Sequence, residues 1–372
     1  MTHLQDENLI YDLWLASACI PPDKTRSLYL TFGNSMSCYE AFHRDRTAFQ
    51  NLLSPRFCRL LEENDSREFL SYMRKSAEQH SIQALHFSDP LFPQSLMNIP
   101  DSPAVLFYQG NTGCLNEKIL AMVGSRAASY AGQKATRKVA GELSRHHITV
   151  ISGLASGIDA CAHQGCMEGG SPTIAVTGCG LDRIYPKDNE MLSKRILENR
   201  GLILSEYVPG VRPAGWHFPY RNRIIAGLSS ALILMEAKIR SGSMTSVQHA
   251  LDQGKEVFVY PGDPNSEYYE GNHQLLREGG IYFTCAEDIL SDLHWLDNPS
   301  AVRQNSDCSA VKNASSPEEE AVLLALCKGP LGFEQLLTIS GLNPSVMMST
   351  LTILQINGLI EALPGKQYQL KH

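Results

Sequence analysis

From about residue 117 the chain settles into short apolar runs, KILAMVG, ITVISG, TIAVTG, LILSEY, ALILMEA and EVFVYPG, divided by amphipathic stretches such as GQKATRKVAGELSRH, DACAHQGCMEG, NEMLSKRILEN, RNRIIAGLS and MTSVQHALDQG. Each short, unbroken apolar run predicts a strand buried on both faces, and the stretches between them carry helical spacing. Strands alternating with helices close as right-handed βαβ units, which gives a mostly parallel sheet covered on both sides. This rhythm predicts an α/β fold, a doubly wound Rossmann-like sheet.

The flanks lack that rhythm. Residues 1–85 show helical periodicity without clear strands, in NLIYDLWLASA, DKTRSLYLTFG, PRFCRLLEEN and REFLSYMRKSAEQH, and predict a small helical domain. Residues 86–110 are punctuated by proline and end in the strand-like AVLFYQG, so they are expected to lead into the sheet of a domain spanning 86–296. Residues 297–316 lose apolar periodicity and read as a linker. The remainder, 317–372, predicts three short helices and a hairpin around Pro364 and Gly365, a winged-helix-like pattern.

The start, MTHLQDENLIYDLW, carries acids where a secretory leader carries cations, and no apolar run reaches bilayer length. A soluble, cytoplasmic protein without membrane contact is expected. The ten cysteines are scattered, and the closest pair, Cys161 and Cys166, lacks the second ligand pair of a structural zinc site. Reduced, mostly buried thiols are expected, with no metal and no cofactor, and His163 between the pair reads as a packed helix residue.

A formal charge of −7 argues against a surface that coats duplex DNA, yet residues 211–255 hold six cations against two acids. In an open parallel sheet, ligands sit beyond the carboxyl ends of the strands, so residues that follow each strand count and those that precede it do not. Four of the five loops at that edge carry a cation. They supply Gly124, Ser125 and Arg126; Gly157; Lys187; Phe218, Arg221, Asn222 and Arg223; and Arg240, Ser241 and Gly242. Lys255 precedes its strand and falls at the opposite edge. Glycine-rich turns that open helices let backbone N–H groups approach an anion, so a phosphate-bearing ligand is expected there. Within this set Arg221 reads as the ligand contact and Arg223 as a brace for the loop. Asp159 is expected to favour the helix dipole or to touch a ligand, Glu206 and Glu236 to form internal ion pairs rather than an acid–base pair, and Phe218 to stack on a base or to serve as core or lid.

Several motifs are missing. There is no GxxxxGK phosphate loop, GSRAAS does not supply a dinucleotide-binding GxGxxG, and no Ser–His–Asp or HExxH pattern stands out.

The stretches VGSR, SGLASGID, GCGLDRIYP, SEYVPG, FPYRNRIIAGLS, EAKIRSGSMTS and ALDQGKEVFVYPG, in this order, resemble the DprA/Smf family, the DNA-processing proteins of bacterial transformation. The resemblance covers the Rossmann-like region and fits a three-part layout with a SAM-like helical start and a winged-helix-like end. It implies a non-catalytic protein that binds single-stranded DNA, forms a homodimer, helps load the RecA recombinase and displaces single-strand-binding protein. It also points to Arg126 and, at matching motif positions, to Lys187, Arg221 and Arg240. The run SGSMTS departs from the family's usual residues at Met244 and Ser246. The alternative is a nucleotide-binding enzyme of the phosphoribohydrolase type, but its PGGxGTxxE loop is not matched by SGSMTSVQ. With five acids against three lysines from Pro317 to His372, the tail is expected to contact protein rather than grip duplex DNA.

Overall fold

The computed structural model describes residues 3–296, 316–326, 331–363 and 367–370. The stretch read as a linker lies outside the described residues apart from Ser316, as does the turn at Pro364 and Gly365. The chain divides into two compact units, Met1–Ile289 and Leu290–His372.

The first unit opens with six helices, α1 (His3–Ser17), α2 (Pro22–Phe32), α3 (Ser35–Arg44), α4 (Arg46–Leu52), α5 (Pro55–Glu63) and α6 (Arg67–Gln79). Their starts are set locally: Asn34, Asp45 and Ser66 each accept a backbone N–H in the first turn of α3, α4 and α6. The sequence reading has no counterpart for α3 and α4, whose ten and seven residues give too short a window for apolar spacing to stand out. Leu13, Trp14 and Phe42 belong to one buried cluster with Phe107, Ile203 and Val208 of the following sheet region. That shared core is why the helices and the sheet form a single compact unit.

The sheet has nine strands: β1 (Gln83–His86), β2 (Val105–Gly110), β3 (Lys118–Val123), β4 (Ile148–Ser152), β5 (Thr173–Thr177), β6 (Leu202–Ser205), β7 (Ala231–Leu234), β8 (Glu256–Val259) and β9 (Ile281–Tyr282). Their order is β1-β2-β6-β5-β4-β3-β7-β8-β9. The pairs β1–β2 and β2–β6 are antiparallel, and the other neighbours are parallel. The six apolar runs of the sequence are β3 to β8, whose side chains are almost all buried. The sequence reading lacks β1 and β9: β1 buries one residue fully, and β9 has two residues, so neither leaves an apolar run.

Between and beside the strands lie α7 (Gln94–Met97), α8 (Tyr130–Arg145), α9 (Ile158–Gly169), α10 (Glu190–Glu198), α11 (His217–Leu228), α12 (Ser243–Asp252), α13 (Glu270–Arg277) and α14 (Ala286–Asp292). The chain runs outward from β3 through β4, β5 and β6, then returns to β3's other side with β7 and continues to β8. The strand order therefore reverses between β3 and β7, which opens a crevice at their carboxyl ends. Ala121 pairs with Ile151 of β4 and with Leu232 of β7, so both neighbours deliver their loops at one height.

The second unit holds α15 (Pro317–Leu326), α16 (Phe333–Ser340) and α17 (Pro344–Ile356), with a small sheet of β10 (Leu331–Gly332), β12 (Gln367–Leu370) and β11 (Ile360–Leu363) in that order. Three helices with an antiparallel β11–β12 wing make a winged-helix domain. Val322, Leu336, Met347, Leu351 and Leu354 form its core. Among the described residues, no helix is long and apolar enough to cross a membrane.

Candidate functional site

A cavity of about 650 Å³ opens at the reversal between β3 and β7. Its lining comes from the loops after β3 (Gly124, Ser125, Arg126), β4 (Ala155, with Asp159 of α9), β5 (Tyr185), β6 (Pro213 to Gly215, leading to Phe218, Arg221 and Asn222 of α11) and β7 (Ser241 to Ser243). All five loops leave carboxyl ends of strands, as the topological rule for open sheets requires.

Backbone contacts fix the loops to one another. The N–H of Ser125 donates to the carbonyl of Glu236 at 2.7 Å, and the carbonyl of Ser125 accepts the N–H of Ile158 at 3.1 Å. This approach depends on Gly157, which has φ +77° and stands where a Cβ would come within 2.4 Å of the Ser125 carbonyl oxygen. Gly157 is thus a packing glycine behind the site and is not among the residues that line the cavity. On the far side, Asn222 donates to the hydroxyl of Thr245 at 3.0 Å, joining α11 to α12. Ser241 and Ser243 share a hydroxyl bond of 2.7 Å at the start of α12, whose first N–H groups turn back onto Ser241 and Gly242.

The cavity floor is charged and buried. Arg221 donates from Nη1 to the carbonyl oxygens of Gly153, at 2.8 Å, and Val176, and from Nε to Asn222 at 3.2 Å. Burial pulls its guanidinium down to about 10, against the pull of Asp159, so it remains a cation at neutral pH. Asp159 Oδ2 accepts the N–H groups of Gly153 at 3.1 Å and Ala155 at 3.3 Å. Burial raises the Asp159 carboxyl, and the Arg221 charge opposes that rise. Its main structural part is to gather the amides of the SGLASG loop, a more specific role than steadying a helix dipole.

The rim is aromatic and cationic. Arg126 is exposed, with its guanidinium carbon 5.0 Å from the centre of the Phe218 ring. Tyr185, 45% exposed, lies beside that ring with centroids 5.4 Å apart and planes tilted by 32°. Aromatic rings next to a cation are suited to receive a planar base and its phosphate.

The structure separates other residues that the sequence placed together. Arg223 faces away from this cavity: its Nη2 meets both carboxylate oxygens of Glu206 at 2.7 Å, its Nε donates to the Asp101 carbonyl at 2.9 Å, and its guanidinium stacks 3.8 Å from Tyr220. Arg221 and Arg223 are both buried, at 4% and 3% exposure, one on each side of α11. Lys187 and Arg240 are exposed and lie outside the cavity lining, on loops of the same sheet edge. Lys238 pairs with Glu267 at 2.6 Å. Lys255, at the opposite edge, donates to the carbonyl of Ser229.

The two strand-end glutamates also part company. Glu206 has its ion pair with Arg223. Glu236, expected to be an ion-pair partner, has no such arginine; it accepts the N–H of Ser129 at 2.9 Å and the Ser129 hydroxyl, which seats the first turn of α8. Asp159 is the one carboxylate among the described residues that line the cavity. His163 is fully buried and bonds Thr173 through Nδ1 at 2.7 Å, a packed helix residue.

Tyr185 and Ser243 stand in loops that the sequence places at the ligand edge, yet they are not in the binding set drawn from it; the aromatic character of Tyr185 was the usable signal. Ala155 carries none, since small residues line cavities and cores alike.

The model of the family described as DNA recombination-mediator protein A matches residues 83–294, and that of the DprA winged helix domain matches residues 309–366. The chain is 42% identical over 220 residues to the DNA processing protein DprA of Streptococcus pneumoniae, covering 59% of this chain and 77% of that protein. It is 33% identical over 317 residues to Protein Smf of Escherichia coli, covering 82% of this chain and 84% of the relative. The solved structure of DNA processing protein A from S. pneumoniae superposes with a TM-score of 0.64 at 34% identity, over 75% of this chain and 95% of that one. A structure of DNA processing protein A from Helicobacter pylori, described in terms of its single-stranded DNA binding mode, superposes with a TM-score of 0.52 at 29% identity, over 57% of this chain and 95% of that one.

Proposed function

The chain belongs to the DNA recombination-mediator protein A family, the DprA/Smf proteins, and from that premise we propose that it binds single-stranded DNA across the cavity between β3 and β7. The observation that carries this reading is the rim: an exposed Arg126 over Phe218, with Tyr185 beside the ring, at the mouth of a cavity wide enough for an unstacked nucleotide. Bases stack on the Tyr185–Phe218 surface, and Arg126 neutralises a neighbouring phosphate. The glycine and serine loops at Gly124, Ser125, Ser241 and Gly242 offer close backbone approach. Arg221 supplies positive potential from the floor without reaching out, and Asn222 contributes a polar contact. Lys187 and Arg240 extend the track along the sheet edge, and Arg223 and Gly157 hold the loops in shape.

Support for the single strand as ligand comes from the H. pylori relative, whose binding mode for such DNA is the subject of its structure. The protein acts as a homodimer that protects incoming DNA during transformation, displaces single-strand-binding protein and loads the RecA recombinase. No turnover is assigned, because the one carboxylate in the lining is occupied by two backbone amides and the start of α12 reads SGSMTSVQ, without a glutamate to act as base. The deciding experiment is a salt titration of binding to single- and double-stranded oligonucleotides of equal length. Single-strand preference with a negative log–log slope is expected; strong duplex preference overturns the reading. Protein-dependent release of base from nucleoside monophosphates would establish the enzyme instead.

A further inference from the structure

A second cavity, of about 380 Å³, lies on the other side of α11, and strand binding makes no use of it. It is bounded by the turn between α1 and α2 (Cys19 to Pro22), by Asp101 and Val105 ahead of and within β2, by Glu206 and Tyr207 after β6, and by Trp216 and Tyr220 at the start of α11. The first cavity takes Phe218 and Pro219 from this same turn, so one helical turn divides the two spaces.

Arg223, behind the lining of the second cavity, ties three of its residues together. One guanidinium binds the Glu206 carboxylate, the Asp101 carbonyl and, from Nη1, the Tyr220 carbonyl at 3.1 Å, and it also stacks on the Tyr220 ring. The bond to its carbonyl holds Asp101 at φ +51°, a backbone state that Asp and Asn tolerate better than other side chains. Asp101 is exposed and carries a second carboxylate beside Glu206, whose own charge Arg223 already answers. Four aromatic side chains, Tyr29, Tyr207, Trp216 and Tyr220, line the same space, and Trp216 is 66% exposed.

Carboxylate and π faces select for cations and repel phosphate, so this chemistry is opposite in sign to that of the strand site. We propose that the second cavity is a binding site for an alkylguanidinium or alkylammonium group. Asp101 supplies the countercharge, and Trp216 and Tyr220 the ring faces. The group comes either from a small free guanidine or from an arginine or lysine side chain of a protein segment laid over Pro21 and Pro22.

The test uses the full chain without DNA, so its failure is independent of the strand-binding reading. Saturation-transfer NMR is recorded with agmatine, with N-acetyl-glycyl-arginyl-glycinamide, and with the glutamine analogue of that peptide. Saturable binding of at least one cationic probe, and none of the glutamine peptide, is expected. Binding by agmatine alone identifies the small-molecule source, and tighter binding by the arginine peptide identifies the protein source. Asp101→Asn, which keeps the tolerated backbone state, should weaken binding about tenfold. Equal signals from the glutamine and arginine peptides, or unchanged affinity in a folded Asp101→Asn protein, would overturn the proposal.

Discussion

Arg221 Nη1 lies 2.8 Å from the carbonyl oxygen of Gly153, and the same nitrogen also donates to Val176, so one buried side chain ties the ends of β4 and β5 beneath the cavity. Its position at the mouth of an apolar helix suggested an outward contact. The surrounding backbone makes it part of the scaffold, and it lines the cavity from the floor.

Replacing Arg221 with Met is therefore expected to lower stability by about 3 kcal/mol, because two buried carbonyls and the Asp159 carboxylate lose their donor or countercharge. Urea unfolding measures this. A stability within about 0.5 kcal/mol of the parent chain would show that the guanidinium is dispensable to the fold.

Arg126→Ala should behave in the opposite way. The side chain is exposed and lies over the face of Phe218, so thermal unfolding should be nearly unchanged. Affinity for single-stranded oligonucleotides should fall, and the log–log salt slope should shrink by about 0.7 for a lost phosphate contact. An unaltered affinity in the folded variant removes this rim from the binding site.

Phe218→Ala tests the stacking half of the rim. Loss of about 1–3 kcal/mol of strand affinity is expected, with the salt slope retained, since a base contact rather than a phosphate contact disappears. A change in slope without a change in affinity at low salt would contradict the assignment.

Gly157→Ala should destabilise the chain by more than about 1 kcal/mol, combining the positive φ with a Cβ placed 2.4 Å from the Ser125 carbonyl oxygen. Strand affinity should drop with it, because the VGSR and SGLASG loops can no longer close on each other. Chemical denaturation and strand binding on one preparation read both effects.

Asp12, which accepts the Tyr29 hydroxyl at 3.0 Å, is pushed by burial from an ordinary 3.8 to about 6. Its folded value lies above its unfolded value, so the native state holds the extra proton inside that window. Stability contributed by this group is present below the window and is lost as pH rises through it, on the order of 2–3 kcal/mol, with no further change above. In Asp12→Asn that component of the pH dependence should vanish; unfolding curves at pH 4 and 7 compare the two chains.

The sequence alone determined the parallel sheet, because unbroken apolar runs alternating with amphipathic stretches have one efficient way to bury themselves. It also determined which edge holds the site, since residues after strands and residues before them are told apart by order alone, and Lys255 fell on the correct side of that division. Local signals were weakest where elements are short, as with β1 and β9, which bury too little to leave a pattern. What only the tertiary structure decided is which cations face the cavity. Arg221 and Arg223 are two residues apart and chemically identical. Which one bonds Gly153 and which one bonds Glu206 depends on the packing of α11 between β5 and the Asp101 turn, and spacing along the chain carries no record of what lies on each side of a helix.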